Sequence, residues 1–180
     1  MQFAGKTAVI TGGATGIGFA LAKQMGAAGA RIILFEPRED VLGEAVDGLK
    51  NLGIDAKYLV GDVTDAASVE ALADFAWAEN GRGDIIVNNA GYTWDSVIQK
   101  MTDEQLRGGF DMAVMAAFWA MQAALPELER HGTGRVINMC SLNGVNAHMY
   151  SVQYNAAKEA LRTLTRTAAP PPSNTHDHWR

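Results

Sequence analysis

The chain has 180 residues, 48% of them apolar and 19% charged, the composition of a globular domain long enough to bury a sizeable core. A net charge of −5 with no basic run excludes the electrostatic footprint of a nucleic-acid binder, and the lone Cys140 excludes an intramolecular disulfide and fits a reducing compartment. No run reaches the roughly 18 apolar residues needed to span a membrane. The residues before Thr7 lead into a strand too soon for a signal peptide, so a cytoplasmic location is expected.

Apolar runs and amphipathic segments alternate from residue 6 to about 168. A strand is predicted at 7–11, ending in Gly12-Gly13, and a helix at 16–28 with Ile17, Ala20, Leu21 and Met25 as its apolar positions. A strand at 31–35 and a helix at about 39–52 follow. The next pair is a strand at 56–60 and a helix at about 65–80. A fourth strand is predicted at 84–87, then a long helix at about 103–130 with Pro126 in its last turn. A fifth strand is predicted at 135–140, and the helix carrying Tyr154 runs to about 168. Short apolar strands alternating with longer helices imply an α/β fold with a parallel sheet and right-handed crossovers. One domain is expected over residues 1–168. Residues 169–180 read as an irregular tail, because Pro170-Pro171-Pro172 forbids a helix. His176 and His178 in that tail are too few to make a metal site, and no metal is expected.

Residues at four predicted strand ends carry binding chemistry. Thr11-Gly12-Gly13-Ala14-Thr15-Gly16-Ile17-Gly18 lies between the first strand and the first helix. Glycines there let a backbone approach a pyrophosphate, and the helix N-terminus offers free N–H groups. This is the place of a dinucleotide fingerprint in a Rossmann-type doubly wound sheet with three α/β/α layers. Glu36 ends the second strand, where a carboxylate accepts from the adenosine ribose hydroxyls. It repels a 2′-phosphate by about 4 kcal/mol at ~4 Å and an effective dielectric near 20, so NAD is favoured over NADP. Arg38 is the one nearby feature that argues the other way. Asp62-Val63 ends the third strand, with a carboxylate placed for an adenine amino group. Asn88-Asn89-Ala90-Gly91 ends the fourth: Asn88 is suited to tie neighbouring strands, and Ala90 and Gly91 leave space for the cofactor ribose.

Tyr154 and Lys158 stand four residues apart, on one face of a helix. An ammonium beside a phenol favours the phenolate, which makes a general acid/base out of a residue that otherwise titrates near ~10. The same spacing is common on exposed helix faces, so its weight comes from the surrounding motifs. Ser141, thirteen residues upstream, is a donor for an oxygen that gains negative charge. Cys140 is read as a buried residue on the opposite strand face. His148 and Gln153 are read as surface-loop residues in preference to pocket-lining ones.

Together, Thr11–Gly18 (residues 11–18), Asp62-Val63, Asn88–Gly91 (residues 88–91), Ser141 and Tyr154-x-x-x-Lys158 resemble the short-chain dehydrogenases/reductases, and the stretch from Asn88 to about Met112 is most similar to the 3-oxoacyl carrier-protein reductase branch. The resemblance covers residues 1 to about 168. It implies an oxidoreductase that interconverts a carbonyl and a secondary alcohol. Tyr154 would be the acid/base, Lys158 would lower its pKa and bond the nicotinamide ribose, and Ser141 would polarise the substrate oxygen. It also implies a homodimer or homotetramer through helices 103–130 and 154–168, whose small and Met residues (Ala116, Ala117, Met121, Ala123, Ala124) equally suit packing within the chain. Two positions depart from the pattern. Ala113 stands where the family carries an asparagine that holds a relay water. The sixth and seventh strands of the family are missing, which leaves the fifth strand as an edge. A truncated, catalytically impaired dinucleotide-binding module, or an assembly partner, is therefore the alternative expectation.

Overall fold

The fold is described by a computed structural model over residues 1–81 and 83–169. Five strands form one parallel sheet in the order β3-β2-β1-β4-β5, where β1 is Thr7–Thr11, β2 Arg31–Glu36, β3 Ala56–Val60, β4 Ile85–Asn88 and β5 Arg135–Asn138. The central strand β1 pairs on both sides, with Val9 opposite Ile33 of β2 and Ile86 of β4. All five of its residues are buried, because helices cover both faces of the sheet.

Alternate residues of the strands feed different layers. Ala8 and Ile10 of β1, with Ile32 and Leu34 of β2, pack under α1 (Gly16–Ala27) and α2 (Glu39–Asn51). From α2 the contributors are Leu42, Val46 and Leu49, an i, i+4, i+7 stripe. Val9, Ile33 and Phe35 point the other way, onto Leu72 and Ala76 of α3 (Ala66–Asn80) and Ala116 of α5 (Ala116–His131). A second patch on that face joins Ile86 to Val69, Ala120 and Ala124. The expected three-layer α/β/α arrangement is thus present, with five strands among the described residues.

Local signals set the helix ends. The Asp65 side chain accepts from the N–H groups of Ala67 and Ser68 and starts α3, and Gly81 at φ 66° ends it. Thr102 and Gln105 form a reciprocal capping box on α4 (Asp103–Phe110). The single helix expected over 103–130 is three pieces: α4, a π-helical turn at Asp111–Met115, and α5, with Pro126 inside α5. Ala116, Ala117 and Ala124 are buried within the chain, which is the packing alternative raised by their size. A short α6 (Leu142–Asn146) follows β5, then α7 (Val152–Ala168). The proline-rich tail, with His176 and His178, lies from residue 170 onward outside the described residues.

Because every strand runs the same way, the segments after all five emerge at one edge of the sheet. That edge is where open α/β sheets take ligands.

Candidate active site

One side chain organises the centre of that edge. The Thr11 hydroxyl donates to the Val87 carbonyl at 3.4 Å and accepts from the N–H groups of Asn89 and Ala90, each at 3.1 Å. Asn89 answers with its amide, donating to the carbonyls of Thr11 at 3.1 Å and Gly12 at 3.0 Å. The ends of β1 and β4 are thereby locked together before the chain turns into α1.

The turn itself demands glycine. A Cβ on Gly18 would lie 2.3 Å from the Gly12 carbonyl oxygen, and one on Gly12 would lie 2.9 Å from the Ala90 Cα. Gly16 has open space around it but sits at φ 53°, a left-handed conformation that side chains disfavour. α1 opens at Thr15 with no side-chain cap and no acidic residue in its first turn. Its first N–H groups are therefore available to an anion.

A cavity of about 620 Å³ runs along this edge. Gly12, Thr15, Gly16 and Ile17 line it at the helix start; Glu36, Asp62 and Val63 line one end; Asn89, Ala90 and Gly91 continue to Tyr154 and Lys158 at the other. Thr11 and Gly18 stand behind this wall, one bonding it together and the other letting it close. Sequence reasoning passed over Phe35, Gly61, Tyr92, Thr93, Met112 and Met139, which also line the cavity. Gly61 carried a readable signal beside Asp62, since a Cβ there would lie 2.5 Å from the Phe35 ring.

At the acidic end, Glu36 is 9% exposed and accepts from Arg38 Nε at 2.7 Å. That hydrogen bond, with the charge behind it, raises the Arg38 pKa. One oxygen of Asp62 accepts from both the N–H and the hydroxyl of Thr64, at 2.8 Å each. Asn88 donates to the Asn138 side chain at 2.7 Å, the tie between strands expected of it. Asn138 in turn donates to Thr165 of α7 at 2.9 Å, which docks that helix on the sheet.

Lys158 is 4% exposed, and its ammonium donates to the Met139 carbonyl at 2.5 Å. It lies 5.6 Å from the centre of the half-buried Tyr154 ring. Burial pushes the Lys158 pKa down. Ala113 is buried in the π-helical turn and brings no side-chain hydrogen bond. Ser141 is the N-cap of α6, where its oxygen accepts from the Asn143 N–H at 3.2 Å; the cavity lining stops at Cys140.

The reading of Cys140 as facing away from the site needs correction. β5 ends at Asn138, and the Cys140 N–H bonds back to the Asn138 carbonyl at 3.0 Å. That turn breaks the strand alternation and brings Cys140 into the cavity wall, where burial pushes its thiol pKa up. Gln153 is also not a surface residue: it is fully buried against Gly109, while His148 is exposed. Among the described residues no group of three or more His, Cys, Asp or Glu is placed to hold a metal ion, and no helix is long and apolar enough to cross a membrane.

A sequence profile of the family described as short chain dehydrogenase matches residues 6–175. A 3-oxoacyl-[acyl-carrier-protein] reductase of Escherichia coli K12 is 33% identical over 169 residues, covering 94% of this chain and 68% of its own. The chain spans 64 to 68% of the length of the curated relatives it matches. Among solved structures, an NAD⁺-bound xylitol dehydrogenase superposes with a TM-score of 0.90 at 28% identity, covering 94% of this chain and 65% of that one. A metagenomic short-chain oxidoreductase in complex with NADP has the same TM-score at 29% identity, covering 94% and 77%.

Thr11→Val keeps the shape of the hub and removes its hydroxyl, leaving two N–H groups and a carbonyl without their partner. The expected loss of stability is about 1–3 kcal/mol in urea unfolding. A loss below a few tenths would show that the hydroxyl does not hold the strand ends together.

Proposed function

The chain belongs to the short-chain dehydrogenase family, and from that membership we propose that it is an NAD-dependent oxidoreductase that interconverts a small-molecule carbonyl and a secondary alcohol by hydride transfer. The observation that carries this reading is the continuity of the cavity, with a glycine cradle and uncapped helix start at one end and Tyr154 with a buried Lys158 at the other. The residues present fit a dinucleotide. A Cβ at Gly12 or Gly18 would fill the cradle, and the cavity falls within the ~300–1,000 Å³ usual for ligand sites.

In this reading the N–H groups at Thr15, Gly16, Ile17 and Gly18 hold the pyrophosphate. Glu36 accepts from the adenosine ribose, Asp62 and Val63 flank the adenine, and Asn89, Ala90 and Gly91 border the nicotinamide ribose with Lys158. When bound, the nicotinamide supplies or accepts the hydride. Tyr154 gives a proton to the carbonyl oxygen during reduction and takes it back during oxidation. The Lys158 ammonium places positive charge beside the phenol as that proton leaves. Ser141 accepts from Asn143, which leaves its own O–H to donate to the substrate oxygen. Ala113 has no side-chain group to hold a proton relay to solvent. A slower relay lowers turnover without preventing hydride transfer.

The preference for NAD rests on Glu36. Its bond to Arg38 offsets part of the repulsion of a 2′-phosphate, so the preference is smaller than a bare carboxylate would impose. Self-association through α4, α5 and α7 belongs to the same proposal, supported by Phe118 and Leu125, which remain exposed on α5 while Ala116, Ala117, Ala120 and Ala124 are buried. Light scattering on the eluted protein is expected to give a dimer or tetramer mass, and a clean monomer would remove that part.

The activity itself is tested by following NADH and NADPH absorbance with a panel of ketones and secondary alcohols. Turnover is expected with NADH in preference to NADPH, narrowed by Glu36→Gln and reduced about 10²–10⁴-fold by Tyr154→Phe. Turnover that survives Tyr154→Phe undiminished would contradict the assigned role.

A further inference from the structure

The cavity's wall after β4 is tied to the start of α7 by a short strap. Ser96 forms a parallel bridge with Ser151, and the Ser96 N–H donates to the Tyr150 carbonyl at 2.6 Å. The Ser151 hydroxyl donates to Asp95 Oδ1 at 2.8 Å, and the same oxygen accepts from the Thr93 hydroxyl at 3.1 Å. One end of the strap is continuous with Gly91, Tyr92 and Thr93, which line the cavity. The other end is the residue that opens α7, three positions before Tyr154.

Two observations show that the strap does more than cover the surface. A serine at a helix N-cap ordinarily accepts from the N–H groups of the first turn. Ser151 occupies that position, is 9% exposed, and makes no capping bond; its hydroxyl donates to Asp95 instead of accepting from the helix. The second observation concerns the chain just before it. Ala147 at φ 49° and Tyr150 at φ 69° are, among the described residues, the two non-glycine positions with left-handed backbone. Such conformations persist only where surrounding contacts over-determine them. The Asn155 side chain, donating to the His148 carbonyl at 2.7 Å, holds the middle of this segment, and the two strap bonds hold its end.

We propose that Asp95 and Ser151 are positioning residues that couple the cavity-lining loop at 91–93 to the first turn of α7. The coupling makes cofactor occupancy of the cavity set the placement of Tyr154. It rests on the function proposed above. Neither residue lines the cavity; they act through the backbone of Tyr150 and the entry angle of α7. Contacts made by a bound cofactor at residues 91–93 are transmitted through Asp95 to Ser151. They restrain a segment whose backbone would otherwise relax toward negative φ.

Hydrogen–deuterium exchange on the full chain, with and without NADH, reads this coupling apart from catalysis. The proteins are the unaltered chain, Asp95→Ala, Ser151→Ala and Ser151→Thr, with NADH affinity measured by its fluorescence. In the unaltered chain and in Ser151→Thr, which keeps the hydroxyl, NADH is expected to slow exchange across residues 147–155. In the two alanine variants NADH binds with an affinity close to the original, but that protection is lost. Their kcat falls on the order of 10²-fold while KM for NADH holds. NADH binding with the same protection in all four proteins overturns the coupling and leaves the cofactor reading intact. An unaltered chain that does not bind NADH overturns the cofactor reading, and the coupling with it.

Discussion

Between β1 and α1 the backbone has to pass so close to itself and to the end of β4 that no side chain fits. A Cβ on Gly18 would lie 2.3 Å from the Gly12 oxygen and 2.7 Å from the Asn89 amide nitrogen. The Asn89 amide is in that position because it bonds the Thr11 and Gly12 carbonyls, and Thr11 in turn bonds the backbone of β4. Sterics and hydrogen bonding thus enforce one another. Only with both in place does α1 begin against the strand ends with its uncapped N–H groups turned toward the cavity. Glu36, the turn at Asp62 and the helix that carries Tyr154 and Lys158 line the same cavity around that point.

The other end of the cavity keeps a lysine at a cost to the fold. Lys158 is 4% exposed, and its ammonium is tied to the Met139 carbonyl. Burial lowers its pKa, because the ammonium is solvated less well in the folded chain than in the unfolded one. The unfolded state then binds protons more readily than the native state between the lowered pKa and the ordinary ~10.4. Stability linked to this group therefore rises as pH climbs through that window.

β1, buried on both faces, was readable as a short apolar run; residues 7–11 and 56–60 both emerge with the predicted limits, although β3 is an edge strand with Lys57 and Val60 exposed. The glycine loop was readable for a related reason, since few residues can occupy such close quarters. What escaped depends on bonds across the sequence. β5 stops at Asn138 because Cys140 folds back on it, a turn that no apolar pattern encodes. Ser141 drew attention as a donor near the tyrosine, and its signal as the cap of α6 was passed over. The π-helical turn at Asp111–Met115 sits in an Ala- and Met-rich stretch whose periodicity reads as one helix. Glu36 with Arg38, Asn138 with Thr165, and Asp95 with Ser151 are partnerships that only the folded chain makes visible.

The dependence of the site on the close approach at Gly18 is tested most directly by calorimetric titration of NADH into the unaltered chain and into Gly18→Ala, with circular dichroism to check that both are folded. Saturable binding at one site per chain is expected for the first and far weaker binding for the second, because the added methyl pushes the α1 N-terminus away from the strand ends. Undiminished binding in folded Gly18→Ala, or no binding in the unaltered chain, would contradict the cradle described here.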